Sequence, residues 1–373
     1  MLVKKVVSYH FQKYFTKYNF YMSDYSKQID AENERRLSEI LQELPQFAKL
    51  YFDDARRSKL PRTRLGYARD LKHFFDWLQT TAGFRDVNLR TASPSILEQL
   101  TFEDFEEYKS TMEYSSRTDQ RGRPLLAEST TLARRLSALR SFMKFYYTIG
   151  AIRQNPAMYI SMPKIASHEI IALDPSDVDL ILQTARSTDG LTNNQIARRR
   201  ITEKRDIAIL MALLGTGIRV SELVGLDTKS VDFRNGMITV TLKGGNDGHS
   251  FFGPEVEAAL QDYIENGRPL LRPAVNDDAL FLSVRHQRMT VRAVELLVKD
   301  YTERAGIANA DRITPHKLRA TYGTQLYANS GDIRLVASTL HHKSIETTSK
   351  HYVKDSEDQH DQVVKYSSKM FKE

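Results

Sequence analysis

Apolar residues recur every three or four positions along most of this chain, and the pattern changes to strict alternation over one short stretch. Between Met22 and Arg57 the spacing predicts a charged helix with Ile40, Leu41, Leu44 and Phe47 on one side. A second helix is expected over Thr63–Gln79, where Tyr67, Leu71, Phe74 and Leu78 recur at intervals of 4, 3 and 4. A third begins at Thr101, whose hydroxyl can cap the helix while Asp104 reaches back, close to a capping box. In Thr130–Ile149, Leu132, Leu136, Leu139, Phe142 and Tyr146 face inward, and Arg134, Arg135, Arg140 and Lys144 lie elsewhere. The first 150 residues therefore read as all-helical.

Gly150 ends that pattern, and Asn155-Pro156, Met162-Pro163 and the extended run Ile170–Leu173 keep it from resuming. The expected organisation is an N-terminal arm and helix over 1–44, a helical domain over 45–160, a linker over 161–173, a second domain over 174–356 and a C-terminal helix or tail over 357–373. Asp174-Pro175-Ser176-Asp177 has the makings of a helix start, with a side-chain acceptor at the cap and Pro at the first helical position. Asp206–Leu214 is apolar nearly all round, as a buried helix would be. Alternation then appears at Met237–Leu242, followed by the turn Gly244–Gly248 and Ser250-Phe251-Phe252, which predicts a hairpin before helices resume.

The chain has no cysteine, which excludes a disulfide scaffold, a thiolate metal site and a cysteine nucleophile. Its 373 residues, 41% of them hydrophobic, suffice for two domains with real cores. The 54 Lys+Arg against 47 Asp+Glu, with 18 Tyr and 17 Phe, favour a polyanionic partner with flat surfaces, nucleic acid before acidic lipid. There is no apolar stretch long enough to span a membrane and no apolar region of a signal peptide, so a cytoplasmic, nucleoid-associated location is expected. Residues 1–21 carry lysines and aromatics but no acid, and fit two readings: translation beginning at Met22, or a basic arm lying on nucleic acid.

The unusual polar residues fall in four segments of the second domain. In Gly215–Leu223 two glycines end a helix and Ser221-Glu222 start another, which puts Arg219 at a tight junction; with Glu222 three residues on, a simple structural pair is also open. Lys243 closes a strand at a Gly-rich turn. In Thr314–Arg319, His316 and Arg319 are one turn apart just after a Pro-marked helix start, a spacing suited to gripping one anion. Leu340-His341-His342-Lys343-Ser344 is followed, ten residues after His342, by Tyr352. The paired histidines have no zinc-helix spacing around them, so neither a metal nor another cofactor is expected. Two arginines can neutralise a phosphodiester and its pentacoordinate transition state, a lysine can protonate a leaving 5′ oxygen, and a tyrosine can attack phosphorus.

The order Arg219, Lys243, His316-x-x-Arg319, His342, Tyr352 resembles the signature of the tyrosine recombinase (phage integrase) family over residues 174–356, and 45–165 is similar to that family's core-binding domain. Within the family the chain is most similar to the Xer type, particularly the XerS-like recombinases. The resemblance implies a mainly α protein: a helical, SAM-like core-binding domain plus an α+β catalytic domain with a small sheet, closing as a C-shaped clamp on double-stranded DNA. It implies a homotetramer on two specific sites, a 3′-phosphotyrosyl intermediate, a Holliday junction and chromosome dimer resolution, with accessory or directionality proteins as further partners. By position, Arg219 and Arg319 grip phosphate, Lys243 is the general acid, His316 and His342 bind phosphate and handle protons, Tyr352 is the nucleophile and Glu222 supports the site from behind. Arg135, Arg140 and Lys144 are the candidate DNA contacts of the first domain. Ala320 stands where a second histidine often follows, and His341 where glycine is usual, while the alignment of Leu340 and Ser344 favours His342 as the active histidine. The rival functions are an integrase or excisionase of a mobile element, a type IB topoisomerase, and a DNA-binding protein that has lost catalysis.

Overall fold

Pro45 divides the first expected helix in two. In a computed structural model describing residues 24–81, 83–114, 117–118, 124–125, 129–165, 172–242, 245–274, 277–342 and 344–346, α1 covers Asp24–Leu41 and α2 covers Ala48–Ala55. A proline inside a helix lacks the amide for the backbone ladder, and its ring collides with the preceding turn. The chain turns at Gln42–Phe47 instead, and buries Leu44 in doing so. The described residues divide into two compact units, Asp24–His168 and the remainder from Glu169 onward.

In the first unit α3 (Pro61–Leu78), α4 (Phe102–Glu113) and α5 (Ser129–Thr148) complete the helical set, beside the two-residue strands β1 (Arg117–Thr118) and β2 (Pro124–Leu125). The capping box forms at α4: the Thr101 side chain accepts from the Asp104 amide, and the Asp104 carboxylate accepts from the Thr101 amide at 2.7 Å. Leu132, Leu136, Leu139, Phe142 and Tyr146 all lie in the core. Phe142 is its hub, with ring centroids 5.2 Å from Tyr51, 5.8 Å from Phe75 and 5.0 Å from Tyr146. The buried Arg64 on α3 donates to both carboxylate oxygens of Glu34 on α1, pinning those helices together. Ile152, Ala157 and Ile160, beyond the end of α5, also pack into this core.

The second unit is organised on α7 (Asn193–Thr216), flanked by α6 (Pro175–Arg186), α9 (Pro254–Asp262) and α11 (Pro315–Ser330), all of which pack on it. Asp174 occupies the cap position of α6, but its side chain makes no capping bond. Ala208, Ile209, Leu210, Ala212 and Leu213 are fully buried, as the unbroken apolar run requires. The short α8 (Val220–Gly225) follows, then the antiparallel sheet β3 (Val231–Asp232), β4 (Met237–Thr241) and β5 (Asp247–Phe251), and α10 (Val291–Arg304) and α12 (Ile333–Thr339) complete the unit. The second hairpin strand starts earlier than its residue types suggest. Thr241 pairs with Asp247 and Val240 with Gly248, because a residue without a side chain fits there: a Cβ on Gly248 would lie 2.8 Å from Leu242 Cγ.

Two stability outcomes follow. Trp77, the single tryptophan, lies 5.1 Å from Tyr108 in the first core, so its fluorescence reports on that unit. Phe142→Ala should lower the stability read by Trp77 in urea by about 3–5 kcal/mol, the usual cost of an emptied aromatic site. Gly217, at φ 64 beyond α7, would carry a Cβ only 2.4 Å from Tyr322 Cδ1. Gly217→Ala should therefore cost more than about 1 kcal/mol in far-ultraviolet circular dichroism melts and should perturb the segment that follows it.

Candidate active site

The left-handed turn at Gly217 stops α7 and hands the chain to Arg219, which occupies the cap position of α8. Glu222, one turn into α8, accepts from the Arg219 backbone amide at 2.7 Å through Oε2 and from Arg219 Nη1 at 2.7 Å through Oε1. One carboxylate thus fixes both the backbone and the side chain of Arg219. The Glu222 side chain is 4% exposed and that of Arg219 37%, so a buried anion holds a guanidinium at the surface. Such charge-assisted bonds are stronger and more directional than neutral ones. The structural pair and the functional arginine are therefore the same residue, with the pair serving to aim it.

Arg319 on α11 is buried and approaches the same carboxylate, its Nη1 lying 4.0 Å from Glu222 Oε2. Its Nη1 also donates to the Gly217 carbonyl at 2.6 Å, and its Nη2 donates to the Leu340 carbonyl. Arg319 thereby joins three pieces of chain: the turn leading to Arg219, its own helix, and the end of α12. His316 sits exposed in the first turn of α11, so the spacing of three puts one residue at the surface and the other in the interior. Ala320, beside Arg319, is buried.

The Leu340–His342 segment closes α12 with a Schellman motif. The His342 amide donates to the Ala337 carbonyl at 2.9 Å and the His341 amide to that of Ser338 at 3.0 Å, around a left-handed His341 at φ 49. Glycine is the usual occupant of that position because a Cβ there costs about 1–2 kcal/mol. The departure from glycine noted in the sequence thus falls on the residue whose backbone favours it. His342 is half-buried. His341 is also partly buried, and its Nε2 has no hydrogen-bond partner among the described residues. Burial holds its imidazole below the ordinary histidine range; Glu222 opposes that shift, while Arg319, Arg219 and His249 add to it.

The structure therefore brings Arg219, Glu222, Arg319 and His341 into one electrostatic cluster, with His342 adjoining His341 in the chain. Lys243 and Tyr352 lie outside the described residues, as do the residues of the expected C-terminal helix. The described flanks of Lys243 are the paired ends of β4 and β5, where the Leu242 amide donates to the Asn246 carbonyl at 2.8 Å. Arg288 was not anticipated: it donates to the Val224 and Leu226 carbonyls at 3.0 and 2.7 Å and pairs with Asp227, fastening the end of α8. Only its position in space gives it that role, since nothing local marks it. No metal-holding group of three or more His, Asp or Glu residues occurs among the described residues.

On α5, the candidate DNA contacts differ in their surroundings. Lys144 is exposed, Arg140 donates to the Met158 carbonyl at 2.9 Å, and Arg135 lies 2.9 Å from His73 Nε2. Because a guanidinium only donates, this nitrogen of His73 is the acceptor, and Nδ1 carries the proton toward Tyr108 Oη at 3.0 Å. Arg134, which was not among the candidates, is exposed and pairs with the buried Asp70.

Comparison with known proteins assigns this architecture. The Phage integrase family pattern matches residues 172–359, and that of the phage integrase N-terminal SAM-like domain matches residues 46–150. Tyrosine recombinase XerD of Yersinia pestis is 31% identical over 293 residues, covering 78% of this chain and 86% of that protein. Tyrosine recombinase XerC of Oceanobacillus iheyensis is 29% identical over 290 residues, covering 77% and 84%. Among solved structures, the Tn1549 transposon integrase in complex with transposon right end DNA shares the fold at a TM-score of 0.62, with 20% identity, over 86% of this chain and 98% of that one. XerH bound to its palindromic difH substrate does so at 0.59, with 16% identity, over 84% and 82%. With its catalytic pattern, its SAM-like pattern and Xer relatives along most of its length, the chain belongs to the phage integrase family of tyrosine recombinases, enzymes that cleave and rejoin DNA.

Proposed function

We propose that this chain is a site-specific recombinase of the Xer type, acting on double-stranded DNA as a tetramer on two sites and resolving chromosome dimers through a Holliday junction. The observation that carries the reading of the site is the buried Glu222 carboxylate aiming Arg219 outward, with Arg319 4.0 Å behind it. The Xer assignment draws on relatives of about 30% identity along most of the chain. In this reading residues 174–356 are the catalytic domain, and the helical domain over 45–160 contributes DNA contacts through Arg135, Arg140 and Lys144.

The chemistry follows from the residue types. Arg219 offers the phosphodiester a partly exposed guanidinium whose direction is already set, so little reorganisation is needed as charge develops on phosphorus. Arg319 adds positive potential from behind and holds the segments together. Tyr352 Oη attacks phosphorus and gives up its proton; the bond from phosphorus to the 5′ oxygen breaks, and Lys243 protonates that oxygen. His316 and His342 donate to the non-bridging oxygens and exchange protons near neutral pH. The phosphotyrosyl ester conserves the energy of the broken bond, so rejoining needs no nucleotide.

Covalent capture tests this directly. The protein is incubated with fragmented genomic DNA of its host, denatured in detergent, and the attached fragments are sequenced. One site should be enriched by the wild type and lost with Tyr352→Phe; no tyrosine-dependent enrichment would support a non-catalytic DNA binder. A chromosomal site supports dimer resolution, whereas a mobile-element junction supports the integrase alternative. Glu222→Gln keeps the shape of the carboxylate but not its charge, and should slow covalent complex formation by about 10–100-fold in single-turnover assays. Affinity for the captured site should fall linearly on a log–log plot against salt, as phosphate contacts require.

A further inference from the structure

At His341 the backbone and the side chain have opposite preferences. The left-handed position in the Schellman motif suits glycine, yet this chain places an imidazole there and keeps it against the charged cluster. Its Nε2 is buried with no hydrogen-bond partner among the described residues. Arg319 on α11 holds the carbonyl of Leu340, the residue before it, and the charged or titratable groups near enough to act on it electrostatically are Glu222 on α8, Arg219 at the start of that helix, Arg319 and His249 on β5, with His342 next to it in the chain. Glu222 is the single anion of this set, and both of its oxygens already accept from Arg219 at 2.7 Å. A residue in an unfavourable backbone region beside a functional cluster is a reason to look for a role.

We propose that His341 is a positioning residue of this site, an acid-sensitive rival of Arg219 for the Glu222 carboxylate, and that it lowers strand cleavage in mildly acidic solution by loosening Arg219. The inference rests on the reading of the Arg219 cluster as the phosphate site. While His341 is neutral, Glu222 belongs to Arg219. A proton on the imidazole creates a half-buried cation whose only anionic neighbour in the set is Glu222, and the carboxylate is then shared. Burial places this event below the ordinary histidine value of 6.5, so the neutral arrangement holds at neutral pH and fails as the pH falls further.

Two variants separate the imidazole from the backbone. His341→Gly removes both the ring and the strain, whereas His341→Asn removes the titrating ring at a residue type that tolerates the left-handed region. Covalent complex formation by the full-length protein on its captured DNA site is measured in single turnover between about pH 5.5 and about pH 7.5. The rate of each variant relative to wild type should rise about fivefold or more toward the acid end, as loss of a titrating cation predicts. A flat ratio overturns the proposal, and so does a rise confined to His341→Gly, which would report backbone relief alone. Nuclear magnetic resonance of the DNA-free full-length protein provides the second readout. The His341 signal, identified by its loss in His341→Asn, should titrate at lower pH in Glu222→Gln than in wild type, and an unmoved midpoint overturns the coupling. Absence of any Tyr352-dependent covalent complex would sink the cleavage reading, and the resonance titration would still decide this one.

Discussion

The candidate active site depends on a single buried carboxylate. Glu222 lies in the interior with Arg219 bonded to both of its oxygens and Arg319 at 4.0 Å. A buried charge that loses its partner costs about 3–5 kcal/mol, so neither arginine nor the carboxylate can be removed without stranding the others. The cluster carries two positive charges against one negative. It is thus compensated enough to sit in a fold, and still cationic enough to attract phosphate. The asymmetry of exposure directs that excess outward through Arg219, while Arg319 stays inside.

The surrounding backbone can be read as what this arrangement requires. Gly217 must be left-handed to turn the chain from α7 into Arg219, and the Tyr322 ring packed over it leaves no room for a Cβ. Arg319 accounts for the Gly217 and Leu340 carbonyls, both at helix ends, where orphan acceptors would otherwise be buried unpaired. Arg288 does the same for Val224 and Leu226 at the far end of α8. Two arginines therefore act partly as backbone caps, and the short helix holding Glu222 is fastened at one end by the Arg219–Glu222 bonds and at the other by Arg288. A helix of six residues has little intrinsic stability, and its tertiary partners supply what propensity does not.

Much of this is legible in the amino-acid sequence. The 3.6-residue period located α3 and α5 to within a few residues, and the Thr101–Asp104 spacing marked both the start of α4 and its capping box. The reading failed where a local signal was overruled or undervalued. Pro45 ends α1 early although the hydrophobic spacing runs on through Phe47, because a missing amide outweighs a favourable stripe. Gly248 reads as turn but lies in β5, because the Leu242 side chain occupies the space where a Cβ would be. At Asp174 the cap residue is present and the capping bond is not.

What the sequence determined by itself was most of the local pattern, meaning the helix periods, the stops at Gly150 and Gly217 and the hairpin, together with the motif order from Arg219 to Tyr352 that marks the family. It also contained the substitution of histidine for glycine at His341, but not its meaning. Only the tertiary structure decided that Glu222 is shared by arginines one hundred residues apart, that Arg288 fastens α8, and that His341 lies within the electrostatic reach of the same carboxylate. These relations depend on how helices from distant parts of the chain pack around α7. Electrostatic coupling follows distance and burial in space, and neither is written in the spacing of residues along a chain.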